Sequence, residues 1–153
     1  MMTGDAEAGS REHSDVSMLE VRELDNGLTD DLTPEAKMAR VINFLNDETH
    51  KIEEYELMLK MLRKLLSSNT GKKLDIFLEN VMSGIGSHLF DVLAKFLKMT
   101  TPIDSFVYEL SWSLCNIAAT NSEEVLSRMI HYSVLDDQGN KVYLFVNYMS
   151  RTL

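Results

Sequence analysis

The residues best suited to binding a partner are Trp112 and Asn116, which lie four positions apart in the segment 105–119. At this spacing two residues share one face of an α-helix. Glu109 and Ala119 extend that face by spacings of three. The opposite face is predicted to be a core-facing stripe formed by Leu110, Leu114, Ile117 and Ala118. The pattern thus turns an aromatic ring and an amide towards a partner, although a Trp at helical spacing can also pack beneath a neighbouring element.

The sequence contains no arrangement of residues typical of a catalytic or metal site. Its four histidines, His13, His50, His88 and His131, form no metal-spaced pair with one another or with the only cysteine, Cys115. It also contains neither a glycine-rich phosphate loop nor a nucleophile elbow. We therefore expect a protein that is not an enzyme and that binds no metal or cofactor, with Cys115 in a packing role.

Composition predicts one ordinary soluble domain, since the chain of 153 residues is 44% hydrophobic and 25% charged. There is no apolar run of membrane-spanning length and no charged-then-apolar leader, so we expect neither a membrane anchor nor a secretory signal. A single cysteine fits a reducing compartment, the cytoplasm or the nucleus.

Most of the negative charge lies at the start of the chain. Residues 1–36 carry ten acidic and two basic side chains, whereas residues 37–153 carry fourteen and thirteen. The first 32 residues are also poor in aliphatic side chains, which predicts a disordered acidic arm or, alternatively, an acidic interaction segment. Because no basic footprint is present, nucleic acid is not an expected partner.

Apolar spacing and capping signals predict six helices between residues 33 and 130. The first begins where Thr33 can cap and Pro34 can take the first helical position. In the second, Lys60, Arg63 and Lys64 are expected to face mostly outward, and Gly71 is expected to supply its left-handed stop. The other helices are predicted near residues 73–82, 89–97, 103–119 and 121–129, the last capped by Ser122 or Asn121.

The segment 131–153 is compatible with two structures. Residues 142–146 are rich in strand-forming side chains and follow the turn-like segment 136–140, which suits a hairpin with residues 132–135. Val142, Phe145, Val146, Met149 and Leu153 also have helical spacing. We favour a helix, because all of the preceding elements are predicted to be helical.

Two segments, 61–67 and 110–118, both have the pattern of a long inner helix and lie about 50 residues apart, close to the period of armadillo and HEAT arrays. Residues 39–129 resemble the first two armadillo repeats of importin alpha, the adaptor that binds nuclear localisation signals. The residues that carry the resemblance are Val41–Leu45, Leu62–Ser67, Leu74–Ile76, Tyr108–Ala118 and Ser122–Glu123. Of these, the Trp-x-x-x-Asn pair, Trp112 and Asn116, is the most specific.

The resemblance implies an all-α, armadillo-type α-solenoid of about two to two and a half repeats. The repeats would occupy residues 33–130, and residues 131–153 would form a partial third repeat or a divergent tail. It further implies that basic signal peptides lie along a concave groove for import into the nucleus. Lysine stems would stack on Trp112, Asn116 would hold the peptide backbone, and Glu109 would attract the ammonium groups, with Ala119 nearby.

The chain departs from the family pattern in three respects. The family opens with a basic arm that docks on importin beta, whereas this arm is acidic, so importin beta is not predicted as a partner. Ala119 stands where the family usually has Ser, and the later repeats with further Trp and Asn residues are missing. The alternative is a helical scaffold without signal-peptide specificity, which self-associates through the uncapped ends of its repeats.

Overall fold

The protein is described by a computed structural model that covers residues 32–84, 88–98 and 104–152. The predicted acidic arm, residues 1–32, lies outside the described part except for Leu32. The described residues form an all-α fold, as predicted, with one short hairpin. Its elements are α1 (Pro34–Asn46), α2 (Ile52–Ser67), α3 (Lys72–Ser83), α4 (Leu89–Leu97), α5 (Asp104–Ala118), α6 (Glu123–His131), β1 (Ser133–Leu135), β2 (Lys141–Tyr143) and α7 (Leu144–Thr152).

Two helices begin at the predicted caps. The Oγ1 atom of Thr33 accepts a hydrogen bond from the backbone N–H of Ala36 at 3.1 Å, and Pro34 takes the first helical position. The Oγ atom of Ser122 accepts from the N–H of Val125 at 3.4 Å, which selects Ser122 over Asn121 as the cap of α6. Both caps satisfy backbone donors that have no partner within the helix.

Gly71 has the expected left-handed backbone, with φ of 58°, but it does not end α2. The prediction of its role is wrong, because α2 ends at Ser67 and Gly71 directly precedes α3. The hydroxyl groups of Ser67 and Ser68 donate to the carbonyl oxygen of Lys64 at 3.1 and 2.7 Å. These serines satisfy an end carbonyl of α2 and leave Gly71 to turn the chain into the next helix.

The segment after α6 contains both of the structures that its sequence allows. Strands β1 and β2 pair antiparallel, with Val134 opposite Val142, and α7 follows at once. The Asp136 carboxylate accepts the N–H groups of Gln138 and Asn140 at 2.9 and 2.8 Å, which stabilises the turn. The preference for a helix is therefore wrong for residues 141–143 and right for residues 144–152.

Each helix of the first half packs on the helix that comes three elements later. Helix α1 contacts α4, α2 contacts α5 more extensively than any other described pair does, and α3 contacts α6. The Lys95 ammonium of α4 donates to the carbonyl oxygen of Leu45 in α1 at 3.0 Å. The same relation extends to α7, because the rings of Phe90 and Phe145 lie 5.4 Å apart.

Tyr132, just after α6, joins that helix to α4 and α7. Its hydroxyl donates to the Oδ1 atom of Asp91 at 2.7 Å, and its ring lies 5.0 Å from that of Phe145. Burial, followed by the hydrogen bond and the negative charge of Asp91, raises the pKa of Tyr132 to about 12. The tyrosine therefore stays protonated and keeps its donated hydrogen bond over the whole physiological range.

Candidate peptide-binding surface

Helix α5 is oriented by its aliphatic face, as its periodicity predicts. Leu110, Leu114 and Ile117 are buried in the core, and Ala118 packs against it. Burying such side chains stabilises the protein by roughly 1.5–3 kcal/mol each, so the rotation of the helix about its own axis is strongly fixed. The side chains on the other faces of α5 are consequently held where they can meet α2 or a partner.

Trp112 lies on the exposed side of α5, and 50% of its surface is exposed. Tyr108, one turn earlier, is 55% exposed, and the two rings meet edge to face with their centroids 6.4 Å apart. The expected outward orientation of the indole is confirmed, and the alternative in which it packs beneath a neighbouring element is wrong. Sequence reasoning did not single out Tyr108, although its spacing of four from Trp112 was a sufficient signal.

Asn116 lies deeper than Trp112. Its residue is partly buried, and its Nδ2 atom is shielded from solvent without a hydrogen-bond partner among the described residues. The hydroxyl of Ser113, three positions earlier, is likewise buried and unpaired within the same ranges. The amide nitrogen therefore has no described hydrogen bond to break when the side chain turns towards a ligand.

Glu109 does not lie on the exposed face that its spacing from Trp112 predicted. Its residue is only 8% exposed, and its Oε2 atom accepts a hydrogen bond from the Nε atom of Arg63 in α2 at 2.5 Å. The prediction is wrong because three helical positions rotate a side chain by about 60°, enough here to turn it against the packed neighbour. Glu109 is therefore already paired with a cation of its own chain.

Arg63 is the functional candidate that the sequence did not reveal, since it was expected to face mostly outward. Its guanidinium carbon lies 5.9 Å from the centre of the Tyr108 ring, and its side chain is 23% exposed. Arg63 precedes its partner Glu109 by 46 positions, so no local pattern connects the two residues. Arg63, Tyr108, Glu109, Trp112 and Asn116 together are called the aromatic–arginine surface below.

Ala119 is exposed directly after the last residue of α5. Its N–H donates to the carbonyl oxygen of Cys115 at 3.1 Å, which prolongs the helical hydrogen bonding by one residue. Its methyl group offers a ligand van der Waals contact but no hydrogen bond. Cys115 is partly buried and is a free thiol.

The end of α5 is tied to α3 by Asp75. One oxygen of its carboxylate accepts the Thr120 hydroxyl at 2.6 Å and the Asn121 N–H at 2.7 Å. The bond from Thr120, followed by the one from Asn121, lowers the pKa of the Asp75 carboxyl below its usual value. This contact fixes the corner between α5 and α6 and so helps to hold the aromatic–arginine surface in place.

An apolar cavity of about 260 Å³ opens where α5, α6 and α7 meet. Its lining contains two exposed aliphatic residues, Ile130 and Val146, which are 47% and 46% exposed. The remaining lining residues are Ala118, Leu126, Met129, Phe145 and Met149. This cavity offers apolar contact area to another helix.

The described side chains contain no cluster of three or more His, Cys, Asp or Glu residues that can hold a metal ion.

Comparison with known proteins adds no relative: no family model matches the chain, and no curated protein or solved structure is significantly similar to it. In the part of the chain that the structure covers, no helix is long and apolar enough to cross a membrane.

Proposed function

We propose that the protein is an importin-alpha-like adaptor that binds basic nuclear localisation signal peptides for import into the nucleus. The observation that carries the proposal is the half-exposed indole of Trp112 on a helix whose opposite face is firmly buried. The proposed ligand lies across the aromatic–arginine surface of α2 and α5, and the protein moves between cytoplasm and nucleus. Importin beta is not part of the proposal, because the arm is acidic.

The packing of the helices supports an armadillo-type α-solenoid of about two to two and a half repeats. In such an array each repeat contacts only its neighbours, so equivalent helices pack at a constant interval along the chain. Here that interval is three helices, seen in the pairs α1–α4, α2–α5 and α3–α6 and in the contact of Phe90 with Phe145. Helix α7 would then begin the third repeat.

The binding energy is expected to come mainly from Trp112. A lysine stem laid across an indole gains apolar contact, and its ammonium gains a cation–π attraction of about 0.5–2 kcal/mol. Asn116 can add a hydrogen bond to the peptide backbone after rotation of its amide. Because Glu109 is paired with Arg63, it supplies little further attraction, and we expect weak binding that falls as salt screens the charges.

The test is a titration of a labelled lysine-rich peptide, followed by fluorescence anisotropy at two salt concentrations. Trp112→Ala should abolish binding. Tyr143→Ala is the matched control, since it removes an aromatic ring that is 44% exposed on the β2 strand. Equal affinities of the wild type and Trp112→Ala would refute the proposal, and so would an equal loss with Tyr143→Ala.

The apolar cavity at the end of the stack favours a second candidate, a helical scaffold that self-associates without peptide specificity. The observation that supports it is the exposure of two aliphatic side chains, Ile130 and Val146, in the lining of that cavity. This function predicts oligomers that grow with concentration in light scattering and that are lost in Ile130→Glu. A monomer at all concentrations that binds basic peptides through Trp112 would rule it out in favour of the adaptor.

A further inference from the structure

We infer that Arg63 occupies a cation-binding subsite of the aromatic–arginine surface and thereby withholds from a peptide the affinity that a second, adjacent basic residue would gain there. The inference rests on the proposed function, because it concerns the specificity of the same surface. A ligand cation is held best where a carboxylate and an aromatic face lie together. The structure contains both next to Trp112, and a residue of the chain itself already uses them.

The geometry of Arg63 is that of a bound ligand cation. Its Nε atom donates to the Glu109 carboxylate at 2.5 Å while its guanidinium lies 5.9 Å from the Tyr108 ring centre. The side chains of the ion pair are 23% and 10% exposed, so solvent screens their attraction only in part. A ligand ammonium group must therefore displace the Arg63 guanidinium. Because Arg63 belongs to the same chain as Glu109, it loses no translational freedom on forming the pair, whereas a peptide does.

The Tyr108 ring links the occupied subsite to the open one. The Arg63 guanidinium carbon lies 5.9 Å from its centre, and the same ring meets the Trp112 ring edge to face with centroids 6.4 Å apart. A peptide lysine placed on Trp112 consequently has the positive charge of Arg63 one ring away. A second lysine beside the first meets both the occupied carboxylate and this like charge, so it adds little affinity in the wild type.

Removal of the Arg63 charge should open the second subsite. We expect Arg63→Gln to bind a peptide with two adjacent lysines about three- to tenfold more tightly, which corresponds to one weak cation–π or ion-pair contact. A matched peptide with one lysine followed by alanine should gain less than about twofold, because its lysine stays on Trp112 and only a partly screened repulsion is removed. Arg63→Lys, which keeps a cation near Glu109, should bind both peptides as the wild type does.

The gain must also depend on Glu109. In Arg63→Gln/Glu109→Gln the affinity for the two-lysine peptide should return to the wild-type level. Glu109→Gln alone should leave that affinity within about twofold, because a carboxylate that is already paired contributes little to the ligand. The measurement on Glu109→Gln keeps the inference open to refutation even if Arg63→Gln folds poorly. Circular dichroism will show whether each variant is folded.

Three outcomes would overturn the inference: no tighter binding of the two-lysine peptide by folded Arg63→Gln, a gain that persists in the double variant, or a large loss in Glu109→Gln alone. Failure of the proposed function has a different signature. In that case Trp112→Ala binds both peptides as the wild type does, whatever the Arg63 variants do. Loss in Trp112→Ala without a gain in Arg63→Gln would leave the adaptor standing and remove only the role of Arg63.

Discussion

Phe145→Ala is expected to be among the most destabilising substitutions in the C-terminal part of the chain. Phe145 is 0% exposed, and its ring lies 5.4 Å from that of Phe90 in α4 and 5.0 Å from that of Tyr132. It thus packs α7 against α4 and against the residue that follows α6. Truncation to alanine removes these contacts and enlarges the open apolar cavity that Phe145 helps to line.

The cost can be estimated from the burial of the ring. Fully buried phenylalanines lose about 3–5 kcal/mol on truncation to alanine, and this sum includes both the lost transfer energy and the cavity. Phe145 lines the open apolar cavity between α5, α6 and α7, so water and neighbouring side chains can relax into the space that the ring leaves. We therefore place the loss near the lower end of the range, at about 3 kcal/mol. For a chain of this length, that corresponds to a fall in Tm of roughly 6–12 °C.

The assay is equilibrium unfolding in urea, followed by circular dichroism. Val146→Ala is the matched control on the same helix, because Val146 is 46% exposed and its truncation should change stability by less than about 0.5 kcal/mol. A loss below about 1 kcal/mol for Phe145→Ala would refute the reasoning. It would mean that α7 opens independently of the other helices, which amide hydrogen exchange confined to α7 would reveal.

Three further predictions concern single contacts. Thr33→Ala should cost about 1 kcal/mol in urea unfolding, because it removes the cap of α1, whereas Thr33→Ser should be neutral within error. Lys95→Met should cost about 1–2 kcal/mol by the same assay, since it keeps the aliphatic stem but removes the charge and the bond to the Leu45 carbonyl; an equal stability would contradict that bond. Asp75→Asn should destabilise the protein at neutral pH. Because the folded pKa of Asp75 is lowered, its contribution is full above the unfolded carboxyl pKa of about 4 and is lost as pH falls through the folded value, so unfolding at several pH values should show wild type and variant converging in acid.

The extent to which the proposed binding surface could be predicted differs from residue to residue. Trp112 and Ala119 are exposed as the helical period requires, and Asn116 lies only partly on the same face. The prediction that Glu109 is exposed is wrong, because periodicity gives the angle of a side chain around its helix but not the position of the neighbouring helix. Arg63 could not be found at all, since its role depends on a contact between two helices.

The sequence by itself determined the helices, two of their caps and the buried stripe of α5. These features depend on interactions over three or four positions, namely helical periodicity and the side-chain acceptors of Thr33 and Ser122, so a single segment contains the necessary information. The same local rules left the segment after α6 open, because strand and helix patterns overlap there.

Only the tertiary structure decided which polar groups meet. The pair Arg63–Glu109 and the tie from Asp75 to Thr120 join residues 46 and 45 positions apart. Such contacts arise when α2 packs on α5 and α3 on α6, and the free energy of that packing comes mainly from the aliphatic faces. The polar side chains are therefore brought together by hydrophobic burial elsewhere on the same helices. For this reason the contact of Arg63 with Glu109 depends on the whole fold and not on any one segment.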